Sequence, residues 1–130
     1  MEQSGFRFSN PIISKINYSI NQAFKLTEQN NTITNTFETH IYRDTEESKA
    51  IVELDIKIGN TDEAKAPFCV ELTIRASFKW ENNFTEDTIQ SLLSINAPAL
   101  LLGYARPMVA TITSMSPFPS YNIPFYNFTK

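Results

Sequence analysis

The chain has 130 residues, with 11 Lys and Arg against 14 Asp and Glu and a net charge of −3. It carries no basic surplus of the kind that holds nucleic acid, and no nucleic-acid partner is expected. Its length suits a single domain spanning residues 1–130, with a core that stands without staples, and its lone cysteine, Cys69, excludes an intramolecular disulfide framework.

At the start of the chain, residues 1–10 lack the apolar centre of a signal peptide. The longest apolar stretch, around Ala97–Tyr104, falls far short of the roughly 20 residues needed to span a bilayer. The expectation is a cytoplasmic protein without membrane insertion. Ile16, Tyr18 and Ile20 alternate with polar residues, and the pattern continues through Phe24 and Leu26. Strict alternation of this kind puts one set of side chains on a core and the other toward water. Glu28 to Asn35 is polar and reads as a loop; Phe37, Thr39 and Ile41 open a second strand. The run from Asp44 to Lys49 is a charged hairpin tip. Val52, Leu54, Ile56 and Ile58 form a third strand, which Gly59 to Asp62 breaks. The clearest strand follows, with Phe68, Val70, Leu72, Ile74, Ala76, Phe78 and Trp80 on one face and Glu71, Thr73, Arg75, Ser77 and Lys79 on the other. One dry face and one wet face are the mark of an antiparallel sheet. Within that strand Cys69 reads as a buried structural thiol.

The last third changes period. Thr85 is a good N-cap, and Glu86 and Asp87 suit the first turn of a short helix through Leu93. Asn96, Ala97 and Pro98 are expected to break it and start a longer helix. There Leu101, Ala105, Met108, Ile112 and Met115 recur at four-and-three spacing as one apolar stripe. Ser116 to Pro119 ends that helix, and an aromatic, Pro-broken tail follows as an extended arm.

The chemistry for catalysis is missing. His40 is the only histidine, so no multi-His metal site and no His-paired nucleophile with a spare partner can be built. On a strand beside a polar loop it reads as a surface residue. No Gly-rich phosphate loop and no G-x-S-x-G elbow occurs. No catalytic residue, cofactor or metal is predicted, and the chain reads as a non-enzyme. Arg106, inside the long helix, reads as a structural ion pair or a cap to carbonyls. The informative surplus is aromatic: Phe118, Tyr121, Phe125, Tyr126 and Phe128 crowd the last thirteen residues. They either pack over the sheet or line an apolar groove or subunit interface.

Taken together, these residues resemble the SecB-like chaperones. Tyr104-Ala105-Arg106 is similar to the Tyr-Ala-Arg of the family's long helix. Without a gap, Thr111 to Met115 continues that helix, Phe118-Pro119 matches its Phe-Pro exit, Asn122-Ile123 its Asn-Leu, and Asn127-Phe128 its Asn-Phe. Upstream, Phe68-Cys69-Val70-Glu71-Leu72 is similar to the Phe-x-Cys-Glu-Val opening of the fourth strand, and Phe78 again aligns with a Phe. The resemblance covers about half the chain.

It implies an α+β fold, with a four-stranded antiparallel sheet, a long C-terminal helix packed on one side, a short preceding helix and an extended aromatic arm. It also implies a homodimer or homotetramer and an ATP-independent holdase for unfolded or partly folded client polypeptides. Such a chaperone serves either protein export, with the SecA translocase as partner, or a dedicated antitoxin client. A second class of function is a structural or adaptor subunit that oligomerises and binds one folded partner. By the resemblance, clients meet Phe68, Val70, Leu72 and Phe128, and also Ile33 of the Asn-rich loop; the alternative place for the groove is the outer faces of Tyr121 and Phe125. Glu71, on the wet side of the strand, matches an acidic SecA-docking position. The stripe Leu101, Ala105, Met108, Ile112 and Met115 is the expected oligomer interface. The first strand has no acid where the family has others, and the family's second helix and tail are missing after Asn127-Phe128.

Overall fold

In the computed structural model, which describes residues 5–21, 33–44, 46–59 and 66–129, five strands precede one long helical run. The strands are β1 (Phe6–Phe8), β2 (Ile12–Ile20), β3 (Asn35–Asp44), β4 (Lys49–Gly59) and β5 (Phe68–Trp80). β5 is the centre of the sheet. It pairs antiparallel with β4 on one side, and with both β2 and β1 on the other. β1 lies opposite Phe78–Trp80 and β2 opposite Phe68–Arg75. The two are therefore one interrupted edge, and the sheet is four strands wide although it contains five. Pro11 sits in the interruption, where it has no N–H to give to a ladder. Ser9 bridges the gap: its N–H donates to the Ser77 carbonyl at 2.9 Å, and its hydroxyl accepts from the Ser77 N–H at 3.0 Å. β1 was not among the expected strands, because three residues are too few to show a period. Phe24 and Leu26, expected to extend the first strand, lie outside the described residues.

β3 closes the far edge through the hairpin to β4, with Phe37, Thr39 and Ile41 opposite Ile56, Leu54 and Val52. β4 ends at Gly59, whose φ is +75° and where an added Cβ would lie 2.0 Å from the Phe68 carbonyl oxygen. Only glycine lets the two strands approach so closely in that backbone region.

Thr85 caps α1 (Glu86–Ser91) as predicted, its hydroxyl accepting from the Thr88 N–H at 3.2 Å. The expected break at Asn96–Pro98 does not occur. Residues Leu92–Asn96 form a π-turn, and α2 (Ala97–Thr113) continues directly from it. The Ala97 N–H reaches back to the Leu92 carbonyl, five residues earlier. This wider turn shifts the hydrogen-bond register just where Pro98 has no donor to offer, so the chain passes the proline without leaving the helix.

α2 lies across β4 and β5 on one face of the sheet. Leu101, Leu102, Ala105 and Val109 seal against Val52, Leu54, Val70, Leu72 and Phe78 in a single core. Arg43, at the end of β3, ties this core to the helix start. Its guanidinium makes a two-pronged contact to Glu86, at 2.5 and 3.3 Å, and lies 5.4 Å from the Trp80 ring centre. That contact, and then a hydrogen bond from Gln90, holds the Glu86 carboxyl below its ordinary range. Among the described residues, no helix is long and apolar enough to cross a membrane.

Candidate functional site

The arm is built onto the helix end by two anchors. Thr113 is fully buried; its hydroxyl donates to the Val109 carbonyl at 2.8 Å and accepts the Tyr121 N–H at 2.8 Å. Arg106, about two turns earlier, donates to the carbonyls of Ile123 and Pro124, both at 3.2 Å. Its role is therefore to hold the arm's backbone. Between the anchors Ile123 is buried in the core and Tyr121 packs edge-on to Phe68, ring centres 6.2 Å apart. The Tyr121 hydroxyl accepts from Asn35 Nδ2 at 2.7 Å, which fastens the arm to the start of β3. Thr113→Val keeps the shape of the side chain but removes both bonds. It is expected to cost about 1–3 kcal/mol, the penalty of a buried N–H left without a partner, and to speed proteolysis within residues 119–129; urea denaturation and timed chymotrypsin digestion measure the two.

Past Pro124 the arm turns aromatic. Tyr126 lies 4.5 Å from Phe37 and 4.8 Å from Phe128, which in turn meets Phe37 at 6.3 Å. These rings gather on the helix side of β3, the outermost strand of the sheet. Phe125 stands beside them 87% exposed. Ile33 is half-buried and packs against the core. Four of the predicted client residues thus lie along the arm and its neighbouring loop end: Ile33, Tyr121, Phe125 and Phe128. The other three are corrected. Phe68, Val70 and Leu72 are almost wholly buried, because Tyr121 and Ile123 of the arm complete the core there. Phe37 and Tyr126 were missed as site residues. Phe37 shows only as one apolar position on a short alternating strand, and nothing local reveals that the arm returns to it.

A second apolar surface lies on α2. The stripe expected as an interface divides in two, its first half inside the core and its second half toward the surface. Leu101 and Ala105 are fully buried within the chain's own core, so they cannot meet another subunit. The buried side then continues through Val109 and Thr113, at steps of four, rather than through Met108 and Ile112. A polar threonine can occupy that line because its hydroxyl bonds are satisfied. Tyr104, Met108 and Met115 are left 47%, 42% and 75% exposed, with Ile112 half-buried. Arg106 is the only charged residue of the seventeen in α2. A helix that is apolar all round is ordinarily covered on both sides. Phe8 meets Tyr104 edge-on at 6.2 Å and extends this surface to the β1 edge. Ile16 and Ile20 of β2 face the helix side, opposite Leu72 and Phe68, yet remain exposed.

A sequence model described as preprotein translocase subunit SecB matches residues 12–130. The chain belongs to the SecB family. Among solved structures it is similar to Rv1957, a SecB-like chaperone of Mycobacterium tuberculosis solved in complex with a ChAD peptide from the Rv1956 HigA1 antitoxin. That match has a TM-score of 0.72 and 14% identity, and covers 93% of this chain and 90% of the other. It is also similar to a protein of unknown function from Streptococcus agalactiae, with a TM-score of 0.60 and 17% identity, covering 95% of this chain and all of that one. A search of the curated proteins gives no match.

For a SecB-family member the outer face of the sheet is the other surface of interest. Glu71 faces outward as predicted, but it is not free. Lys57 lies 3.7 Å from one of its oxygens and Lys15 lies 4.0 Å from the other. Nearby, Arg75 stands 4.0 Å from Glu53. Tyr42, beside Glu53, is pushed above the ordinary phenol range by that carboxylate's charge. Cys69 is half-buried on this outer face rather than buried, since it falls out of phase with Phe68 and Val70.

Proposed function

We propose that this SecB-family chain is an ATP-independent holdase, which captures non-native segments of a dedicated client on the aromatic surface of Phe37, Phe125, Tyr126 and Phe128. The observation that carries this reading is the gathering of those rings on an open sheet edge, with Phe125 almost fully exposed. Rings with two free torsions hold apolar side chains of many sequences without fine complementarity. β3 has a strand on one side only among the described residues. Its outer ladder is therefore available for an extended client to add strand-like hydrogen bonds beside the ring contacts.

A client of antitoxin type is favoured over general preproteins. The SecB-like neighbour from Mycobacterium tuberculosis carries an antitoxin peptide. The lysines around Glu71 also leave that carboxylate with little net charge to offer a basic docking segment of SecA. The exposed face of α2 is best covered by a second copy of the chain, which makes the working form a homodimer or homotetramer and multiplies weak client contacts into tight capture.

The test is suppression of aggregation when a guanidinium-unfolded reporter protein is diluted into buffer with the purified chain. The parent is expected to suppress aggregation without ATP. Phe125→Ala is expected to weaken binding of an unfolded client about tenfold, the effect of losing a peripheral aromatic contact worth about 1–2 kcal/mol. A parent that leaves aggregation unchanged would end the holdase reading, and tight SecA binding would return the chain to export.

A further inference from the structure

On the outer face of the sheet, the pairing of β3 with β4 sets Glu38 directly opposite Asp55. Two residues further along β3, His40 points to the same face, by the alternation of a strand. Like charges directly opposite across a ladder are destabilising. Lys15 and Lys57, which line a concavity with Glu38 and Asp55, stand at Glu71, and Arg75 stands at Glu53. Among the described residues, what stands between the two carboxylates is His40. Its Nε2 lies 3.0 Å from Asp55 Oδ2 and 3.5 Å from Glu38 Oε1, and the three atoms all lie within 4.8 Å of one another.

We propose that Glu38, His40 and Asp55 form a binding site for one divalent transition-metal ion of the zinc class. One imidazole nitrogen with two carboxylate oxygens is a three-ligand donor set that leaves a fourth position for water. Ligand atoms at about 2.0–2.2 Å from a tetrahedral ion stand roughly 3.3–3.6 Å from each other. The two separations from His40 lie close to that range, and the carboxylate of exposed Glu38 closes the remaining gap by rotation. The other oxygen of Asp55 accepts a hydrogen bond from the Thr73 hydroxyl at 2.7 Å, which turns Oδ2 toward His40. Partners of this kind orient the ligands of metal sites. Glu38 and Asp55 also border a shallow concavity of about 290 Å³, shared with Thr36, Lys57 and Thr73, so both carboxylates are open to solvent on that side. The imidazole selects against magnesium and calcium, which take six or more oxygens. With the ion bound, the ring keeps its proton on Nδ1 and turns the Nε2 lone pair to the metal.

The ligands come from two strands, so the ion staples the outermost strand, β3, to β4. Phe37, adjacent to Glu38, points to the opposite face and supports Tyr126 and Phe128. The staple therefore sits directly behind the aromatic surface.

Zinc titrated calorimetrically into the metal-free chain is expected to bind at one equivalent per chain with a micromolar Kd. His40→Gln and Asp55→Asn should each weaken it at least tenfold, while Cys69→Ser leaves it unchanged. His40 is the only histidine, so the ring nitrogen resonances of the parent protein give a second readout that needs no variant. Zinc should move the Nε2 signal and leave a protonated Nδ1. Binding that survives His40→Gln, an unmoved Nε2 signal at saturation, or no binding below millimolar zinc would overturn the site.

Discussion

Phe68→Ala is expected to cost about 3–5 kcal/mol of folding stability, the range for emptying a buried phenylalanine site. Phe68 is 1% exposed and meets Tyr121 edge-on, with Ile58, Val70 and Ile123 in the same core. The ring therefore supports the arm as well as the sheet. Against a total stability of about 5–15 kcal/mol for a domain, this loss is a large share of the whole. Phe125→Ala, by contrast, touches a ring that is 87% exposed, and its stability change should stay within about 0.5 kcal/mol. The pair separates two roles that the aromatic content alone does not. Urea denaturation with an unchanged slope reads the first, and client affinity reads the second. A Phe68→Ala chain with the parent's midpoint and a tenfold loss of client binding would show that the arm lifts away and that Phe68 itself meets the client.

That contrast also marks how far the sequence could be read. The strict alternation of β4 and β5 is strong enough to place their core faces residue by residue, because two buried strands leave no choice of register. The cap at Thr85 and the aromatic arm were legible for similarly local reasons. The resemblance of Tyr104-Ala105-Arg106 and the series after it led to the family. What stayed hidden depends on contacts far apart in the chain. Phe68, Val70 and Leu72 read as an open groove until the arm, anchored by Thr113 and Arg106, is seen to cover them. Leu101 and Ala105 read as an interface because hydropathy prefers Met108 and Ile112 to Thr113. The helix instead turns Thr113 inward, where its hydroxyl is doubly bonded. Pro98 reads as a helix start because the π-turn that accommodates it has no strong sequence signal. Glu38 and Asp55 are seventeen positions apart by numbering, and only the β3–β4 register sets them face to face.

Tyr104→Glu combined with Met108→Glu is expected to turn the assembled protein into a monomer, with a loss of two orders of magnitude or more in association. The two side chains are neighbours at a spacing of four on the uncovered side of α2. Glutamate is a good helix former, so α2 itself should be kept. In the isolated chain the new carboxylates face water, and folding stability should change little. Between two copies they would be desolvated without partners, at a cost of several kcal/mol for each carboxylate taken out of water. The absence of any charge but Arg106 along α2 makes the substitution specific, since no basic residue of the helix face stands ready to pair with the new acids. Light scattering across a concentration series, with thermal unfolding beside it, measures both effects. If the double variant keeps the parent's assembly, the copies meet instead along β2. There Ile16 and Ile20 remain exposed on an edge strand, and Ile16→Lys with Ile20→Lys becomes the substitution that yields a monomer, because inward charges on an edge block strand-to-strand pairing.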